Sequence, residues 1–427
     1  MRAPSTFALA FTFTLTFTSA ARAADSREQR IAAAADRLRD SLIACRRDLH
    51  MHPELSNREE RTARIVADKL RALGLDDVRT GVGKHGVTAL LKGGRPGPVI
   101  AVRADMDALP INETANVPYR SQTPNVKHAC GHDLHTAVLL GVAEVLVGLR
   151  AELPGTIKLI FQGAEEGPPE GEEGGARLMV KEHVLEAPRP QAIFGLHAYP
   201  LLEVGQVGYA VGPAMATADR FRLQIHGKGA HGAAPHQGID AVTVAAEAVS
   251  ALQTIRSRRI DPYDPMVLTI GMMQGGSRFN IIADEVRMEG TIRTFDEGVR
   301  ARVHKLMHEI LDGVTRAHGA TYQLQIEELA ALTANDAKLV EESLPALKRA
   351  VGDANVLVQR PMMAAEDFAY FSRVVPGFYF WLGVANRARN LTGQLHTADF
   401  DLDEKSLVIG VRAMTTVLTD YLDRHAR

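Results

Sequence analysis

The apolar positions of this chain follow two rhythms. Residues 27–49 carry Ile31, Ala34, Leu38, Leu42 and Ala44 at spacings that place them on one helical face, with Cys45 expected in the core. From 98 to 210, β-rich runs alternate with helical ones: PVIAVRA, TAVLLGVAEVLVGL, TIKLIFQ, ARLMVKEHVL and QAIFGLH. That alternation predicts an α/β sheet covered by helices. After about residue 214 the order becomes strand RFRLQIHG, helix AVTVAAEAVSALQTIRSR, strands MVLTIGMMQGG and EVRMEGTIRTF, helix ARVHKLMHEILDGVTRAH and strand TYQLQIEEL, a βαββαβ unit of ferredoxin-like type. A helix over 336–350, the strand GFYFWLG and a last helix from Glu404 to about Asp423 follow. The pattern predicts an α/β domain built from 24–213 plus 331–427, interrupted by an α+β domain over 214–330.

The first 23 residues break this pattern. Arg2 precedes an uncharged stretch from Phe7 to Thr18, and Ala21-Arg22-Ala23 supplies small residues where a signal peptidase reads them. We therefore expect cleavage after Ala23 and a periplasmic or secreted protein. The apolar run is shorter than the roughly 20 residues a membrane helix needs. No other stretch is expected to span a membrane. Of the 427 residues, 46% are hydrophobic and 23% charged, which excludes a disordered or fibrous chain. A net charge of −2 leaves no basic field to draw the protein onto nucleic acid. With two cysteines, Cys45 and Cys130, a disulfide framework is excluded.

The polar residues that could do chemistry follow the strands. PVIAVRA runs into Asp105 and Asp107, TIKLIFQ into Glu165 and Glu166, and QAIFGLH into His197. The segment HACGHDLH adds His128, Cys130, His132 and His135 just before a helix. Each alone reads as a solvated or core residue. Their coincidence at one end of successive strands, where α/β sheets collect ligands, points to a divalent metal bound by imidazole, thiolate and carboxylate. Neighbouring side chains of an extended segment face opposite ways, so one of the two glutamates can bind metal while the other contacts an activated water. His50 and His52 are two apart on a helix, do not share a face and are read as structural.

Together the segments RRDLHMHPELS, RADMDALPINE, HACGHDLHT, AEEG, IFGLHA, GKGAHGAAPHQGIDAV, GTIRTF, AEDFAYF and LHTADFDLDE make the chain resemble the co-catalytic metallopeptidase and amidohydrolase family of aminoacylase, carboxypeptidase G and hippurate hydrolase. The branch it is most similar to is that of hippurate hydrolase and the indole-acetyl-amino-acid hydrolases. The resemblance implies a zinc-peptidase-like catalytic domain with an inserted ferredoxin-like lid, which often mediates dimerisation. It implies that Cys130, His132, Glu166, His197 and His396 hold two divalent ions, with manganese, zinc, cobalt and nickel all compatible. It makes Glu165 the general base, Asp107 the carboxylate that fixes a histidine ligand, and the lid residue His231 the oxyanion donor. Asn280 and Arg293 correspond to positions that grip the substrate carboxylate.

Two departures stand out. Ala364-Ala365 replaces the usual Gly-Ser before Glu-Asp-Phe, and Ala398 replaces a proline near His396. The expected activity is hydrolysis of N-acyl amino acids to carboxylic acid plus amino acid. A metallo-carboxypeptidase or dipeptidase is the alternative, and a non-catalytic protein that binds carboxylated ligands a remote one. Metal coordination is expected to keep Cys130 from pairing with Cys45.

Overall fold

The computed structural model describes residues 27–426, so the expected export signal lies outside the described residues. The chain runs through α1 (27–37), α2 (Arg39–Met51), α3 (Glu60–Ala72), β1 (Asp76–Val82), β2 (Gly86–Lys92), β3 (Arg95–Asp105), α4 (His132–Leu149), β4 (Pro154–Gln162), α5 (Gly175–Lys181), β5 (Ile193–Glu203) and β6 (Val207–Tyr209). β7 (Gly212–Met215) leads into a segment of β8 (Ala218–His226), β9 (Ala230–His231), α6 (Ala241–Thr254), β10 (Met266–Gly275), β11 (Ile281–Ile282), β12 (Glu285–Thr294), α7 (Glu297–His318) and β13 (Thr321–Ala330). β14 (Thr333–Asn335) leads out of it to α8 (Ala337–Val351), β15 (Val356–Val358), α9 (Ala369–Ser372), β16 (Gly377–Ala385) and α10 (Lys405–His425).

Eight strands form the main sheet in the order β1-β2-β4-β3-β5-β16-β6-β15. β4, β3, β5 and β16 run parallel, so their carboxyl ends share one edge. These strands read as near-continuous apolar runs because helices bury both faces, as β16 shows with every residue buried. α4 packs on the sheet beneath α2 and α10. It corrects one expectation: the helical stretch His132–Glu152 is long and apolar enough to cross a membrane. It lies instead in the core, and a helix enclosed on all sides reads apolar all round.

Between the β7–β14 pair, the order β10-β12-β8-β13 makes a second sheet with α6 and α7 on one face. Its strands alternate, β8 burying Phe221, Leu223 and Ile225 between polar neighbours, and they close a separate core with Val244, Val303 and Leu311.

The first helix is two, interrupted by a turn at Leu38, and Ala44 lies exposed while Ala35 is buried. Cys45 is half-buried against the core, and both cysteines are free. The β1–β2 hairpin, with α3 packed against it, extends the sheet beyond the strands expected from the sequence. β1 is an edge strand of mostly polar residues, DDVRTGV, whose partner and not its composition makes it a strand.

Candidate metal centre

The shared edge of β3, β4 and β5 gathers the candidate ligands. Cys130 and His132 flank Gly131, which stands at φ +92° immediately before α4. A Cβ there would meet the Ala198 Cβ at 2.8 Å, so glycine lets the thiol-bearing turn approach the strand carrying His197. His197 is inside β5, not at its end as the sequence reading had it, because β5 runs on to Glu203. Glu165 and Glu166 lie in a turn after β4, where Ala164 adopts φ +55°. This corrects the expectation of an extended segment that parts the two glutamates: both face His132, whose Nε2 is 3.7 Å from Glu165 Oε2 and 4.0 Å from Glu166 Oε1. His396 arrives from the return half at φ +61°, tied by its N–H to the Ala129 carbonyl at 2.8 Å.

Two triads share one thiol. Cys130, His132 and His197 present ligand atoms within 4.8 Å of one another, and so do Cys130, Glu166 and His396. Cys130 Sγ is 3.4 Å from His197 Nε2 and 3.3 Å from His396 Nε2, which is 3.1 Å from Glu166 Oε1. His132 Nε2 and Glu166 Oε1 are buried and make no hydrogen bond among the described residues. Burial and the Glu166 and Glu165 charges push the Cys130 thiol well up. Burial opposes protonation of His132, yet Asp105 and Asp107 overcome it and raise its pKa to about 10. A dehydrated set of sulfur, nitrogen and oxygen acceptors with unbonded atoms aimed at one another fits divalent metal, which supplies the missing positive charge.

Asp107 ties the centre to the scaffold. His132 Nδ1 lies 2.8 Å from the Asp107 carbonyl and 3.2 Å from Oδ1, while Oδ2 accepts from Ser56 Oγ at 2.8 Å and the Glu166 N–H at 3.0 Å. The ring is thereby oriented with Nε2 toward the cluster. His135 is occupied on both sides, by Asp105 at 2.6 Å and the Ala198 N–H at 2.8 Å. His128 is buried with neither ring nitrogen bonded among the described residues, and burial lowers its pKa to about 4.

Behind Glu165 lies a network that sequence reasoning missed. Fully buried Arg103 donates to Gln162 at 2.8 Å, to Asp105 at 2.7 Å and to Asp367 at 3.0 Å, and pairs with Glu366 at 3.0 Å. Glu165, Glu366 and Asp367 lie within 4.8 Å of one another. Burial, then Glu366, Glu166 and Asp367, hold the Glu165 carboxyl well above the usual range. The signal was present: an arginine inside the apolar run PVIAVRA requires buried partners.

The three candidate residues of the inserted segment stand apart. His231 is exposed on β9, its Nδ1 accepting from the Ala233 N–H at 3.1 Å, and lies across from Ile281, beside Asn280. Half-buried Arg293 on β12 donates to Thr291 Oγ1 at 3.1 Å. Among the described residues, no hydrogen bond or ion pair joins these three to the metal cluster.

A divalent-metal hydrolase of amide bonds is the class that this sheet edge and donor set define. The chain belongs to Peptidase family M20/M25/M40, whose model matches residues 101–420. It is 44% identical over 292 residues to an N-acyl-L-amino acid amidohydrolase of Geobacillus stearothermophilus, covering 68% of this chain and 77% of that one. It is 38% identical to thermostable carboxypeptidase 2 of Saccharolobus solfataricus, covering 88% and 94%. The crystal structure of Bacillus subtilis YxeP, described as a dinuclear metal-binding peptidase of the M20 family, superposes with a TM-score of 0.77 at 35% identity, covering 91% of this chain and 99% of that one.

Proposed function

We propose that the protein is an extracytoplasmic amidohydrolase that cleaves N-acyl amino acids to a carboxylic acid and an amino acid, using two divalent ions. Cys130, His132 and His197 would hold one ion and Cys130, Glu166 and His396 the other, drawn from manganese, zinc, cobalt or nickel. The observation that carries this reading is the Cys130 thiol common to both triads, with His132 Nε2 and Glu166 Oε1 unbonded beside it. Bound there, the ions contribute Lewis-acid polarisation of the scissile carbonyl and a lowered pKa for water.

The chain's own residues do the rest. Water adds to the carbonyl carbon as Glu165 accepts its proton, the C–N bond breaks, and Glu165 returns the proton to the leaving nitrogen. Asp107 holds the His132 ring. His231, carried on the lid, donates to the developing oxyanion once the lid closes. Asn280 and Arg293 take the substrate carboxylate; among the described residues Arg293 has no carboxylate within ion-pairing distance, and a half-buried guanidinium in that state suits an incoming one. The open edge strand β10 suits pairing with a second copy.

The test is to express residues 24–427, add each metal in turn, and measure amino-acid release from N-acyl amino acids and dipeptides. Release from the former supports the reading. Cleavage of dipeptides alone replaces it with the carboxypeptidase or dipeptidase alternative, and ligand binding without turnover under every metal with the non-catalytic one.

A further inference from the structure

The turn that presents Glu165 begins at Ala164, a non-glycine residue held at φ +55°. An L-residue adopts that conformation only where its surroundings impose it. The imposing group is a carboxylate from a segment distant in the sequence. Glu59, immediately before α3, is fully buried, and its Oε1 accepts the Ala164 N–H at 2.8 Å and the Asn57 N–H at 2.9 Å. Gly163 leaves it room: a Cβ there would lie 2.9 Å from both Glu59 carboxylate oxygens. Asp107 clamps the far end of the same turn through the Glu166 N–H at 3.0 Å. The segment between the two anchors contains Glu165 and carries no regular backbone ladder of its own.

We propose that Glu59 is a positioning residue that fixes the left-handed turn at Ala164 and thereby aims the Glu165 carboxylate. This rests on the reading of Glu165 as the base. Glu59 touches neither substrate nor the cluster; it acts through the backbone. Only Oε1 is engaged, taking both N–H groups, while Oε2 is buried with no hydrogen-bond partner among the described residues, so the two N–H groups that fix the residue before the base are what hold this carboxylate in place. The peptide strain at Ala164 is the counterpart: released, the chain relaxes to a negative φ and turns Glu165 away.

The experiment uses the metal-loaded chain from residue 24 with Glu59→Ala, Glu59→Asp, Glu59→Gln, the double variant Glu59→Ala/Ala164→Gly, and Glu165→Gln, reading kcat, KM, metal per chain and Tm. Glu59→Ala is expected to lower kcat about 100-fold, the scale of an ångström of misplacement, with KM and metal content little changed. Glu59→Asp, too short to reach Ala164 but still charged, is expected to fall with it, and carries the test if the alanine variant does not fold. Glu59→Gln, whose amide oxygen still accepts both N–H groups, is expected to recover most of kcat. Glycine at 164 removes the steric objection to the turn and should return on the order of tenfold in the alanine background. Wild-type kcat in Glu59→Ala or Glu59→Asp, or losses that follow metal content, would overturn the proposal while an inactive Glu165→Gln left the base reading intact. An active Glu165→Gln would overturn the base reading itself.

Discussion

Glu165 and Glu166 are neighbours with different surroundings, and that difference suits them to the separate roles proposed for them. Glu166 reaches the Cys130 and His396 side of the cluster, whereas Glu165 turns to Glu366, Asp367 and the Asp367 N–H at 3.4 Å. A carboxylate hemmed in by other carboxylates holds a proton readily, as a shuttle must. Glu165→Gln is expected to keep both metals and the wild-type Tm while losing on the order of 100-fold or more in kcat, read by metal analysis alongside steady-state rates. Cys130 makes a sharper case. Because it belongs to both triads, Cys130→Ala should retain neither ion, while His197→Ala, which removes a member of one triad, should retain one. Metal per chain after gel filtration distinguishes these outcomes, and equal losses from both variants would contradict a shared thiolate. The sequence pointed to the residues that the structure brings together around Cys130, some from their place after strands and His396 only through the family resemblance; how the paired glutamates face was not legible, since it depends on a left-handed backbone at Ala164 that no local pattern announces.

At the scale of elements, α2 and α4 are joined by a buried charge cluster. Arg46 on α2 donates to Asp133 Oδ2 at 2.7 Å, and His50 Nδ1 meets the same oxygen at 2.8 Å while its Nε2 meets Glu113 at 3.1 Å. The pair of histidines in HMH is structural for this reason: His50 is consumed by α4, and His52 caps α2 at 2.9 Å from the Asp48 carbonyl. Burial alone would raise the Asp133 pKa, but Arg46 and His50 hold it well below the usual range. A depressed carboxyl stabilises the fold above its unfolded value near pH 4 and loses that contribution as pH falls below it. Asp133→Asn, which strands the Arg46 charge, is expected to cost about 3 kcal/mol at pH 7, with the gap to wild type narrowing below about pH 4. Thermal melts of both proteins from pH 7 to 3 measure it; a gap independent of pH would show that the charge is not the cause.

At the scale of the molecule, the two sheets have separate cores, with ion pairs among the contacts between them. Arg373 after α9 pairs with Glu297 of α7 and, at 3.4 Å, with Glu328 of β13, which also accepts from Tyr370 at 3.2 Å. Arg222 of β8 meets Glu170 of the loop after Glu165 at 3.1 Å. Exposed pairs of this kind contribute about 0–1 kcal/mol each, so they couple the two cores only weakly. All five candidate ligands sit outside that sheet. Chelation should therefore abolish hydrolysis and lower the transition of the eight-stranded domain by about 5–10 °C, leaving the melting of the inserted domain in place. Scanning calorimetry with and without chelator tests this, and a uniform shift of both would mean that the domains unfold as one.

Strand–helix alternation, the βαββαβ insertion and the ligand types were all written in the order of residues, because burial on a sheet or helix face imposes a period that local sequence must obey. The edge strand β1, the place of His197 within β5, the turn at Ala164 and the Arg103 network were decided only when distant segments met. A polar strand needs a partner to be a strand, a strained backbone needs a buried carboxylate to hold it, and a buried arginine takes its meaning from the carboxylates that close around it. Those are properties of contacts between residues as far apart as Glu59 and Ala164 or Arg103 and Asp367, and they come into being with the tertiary structure.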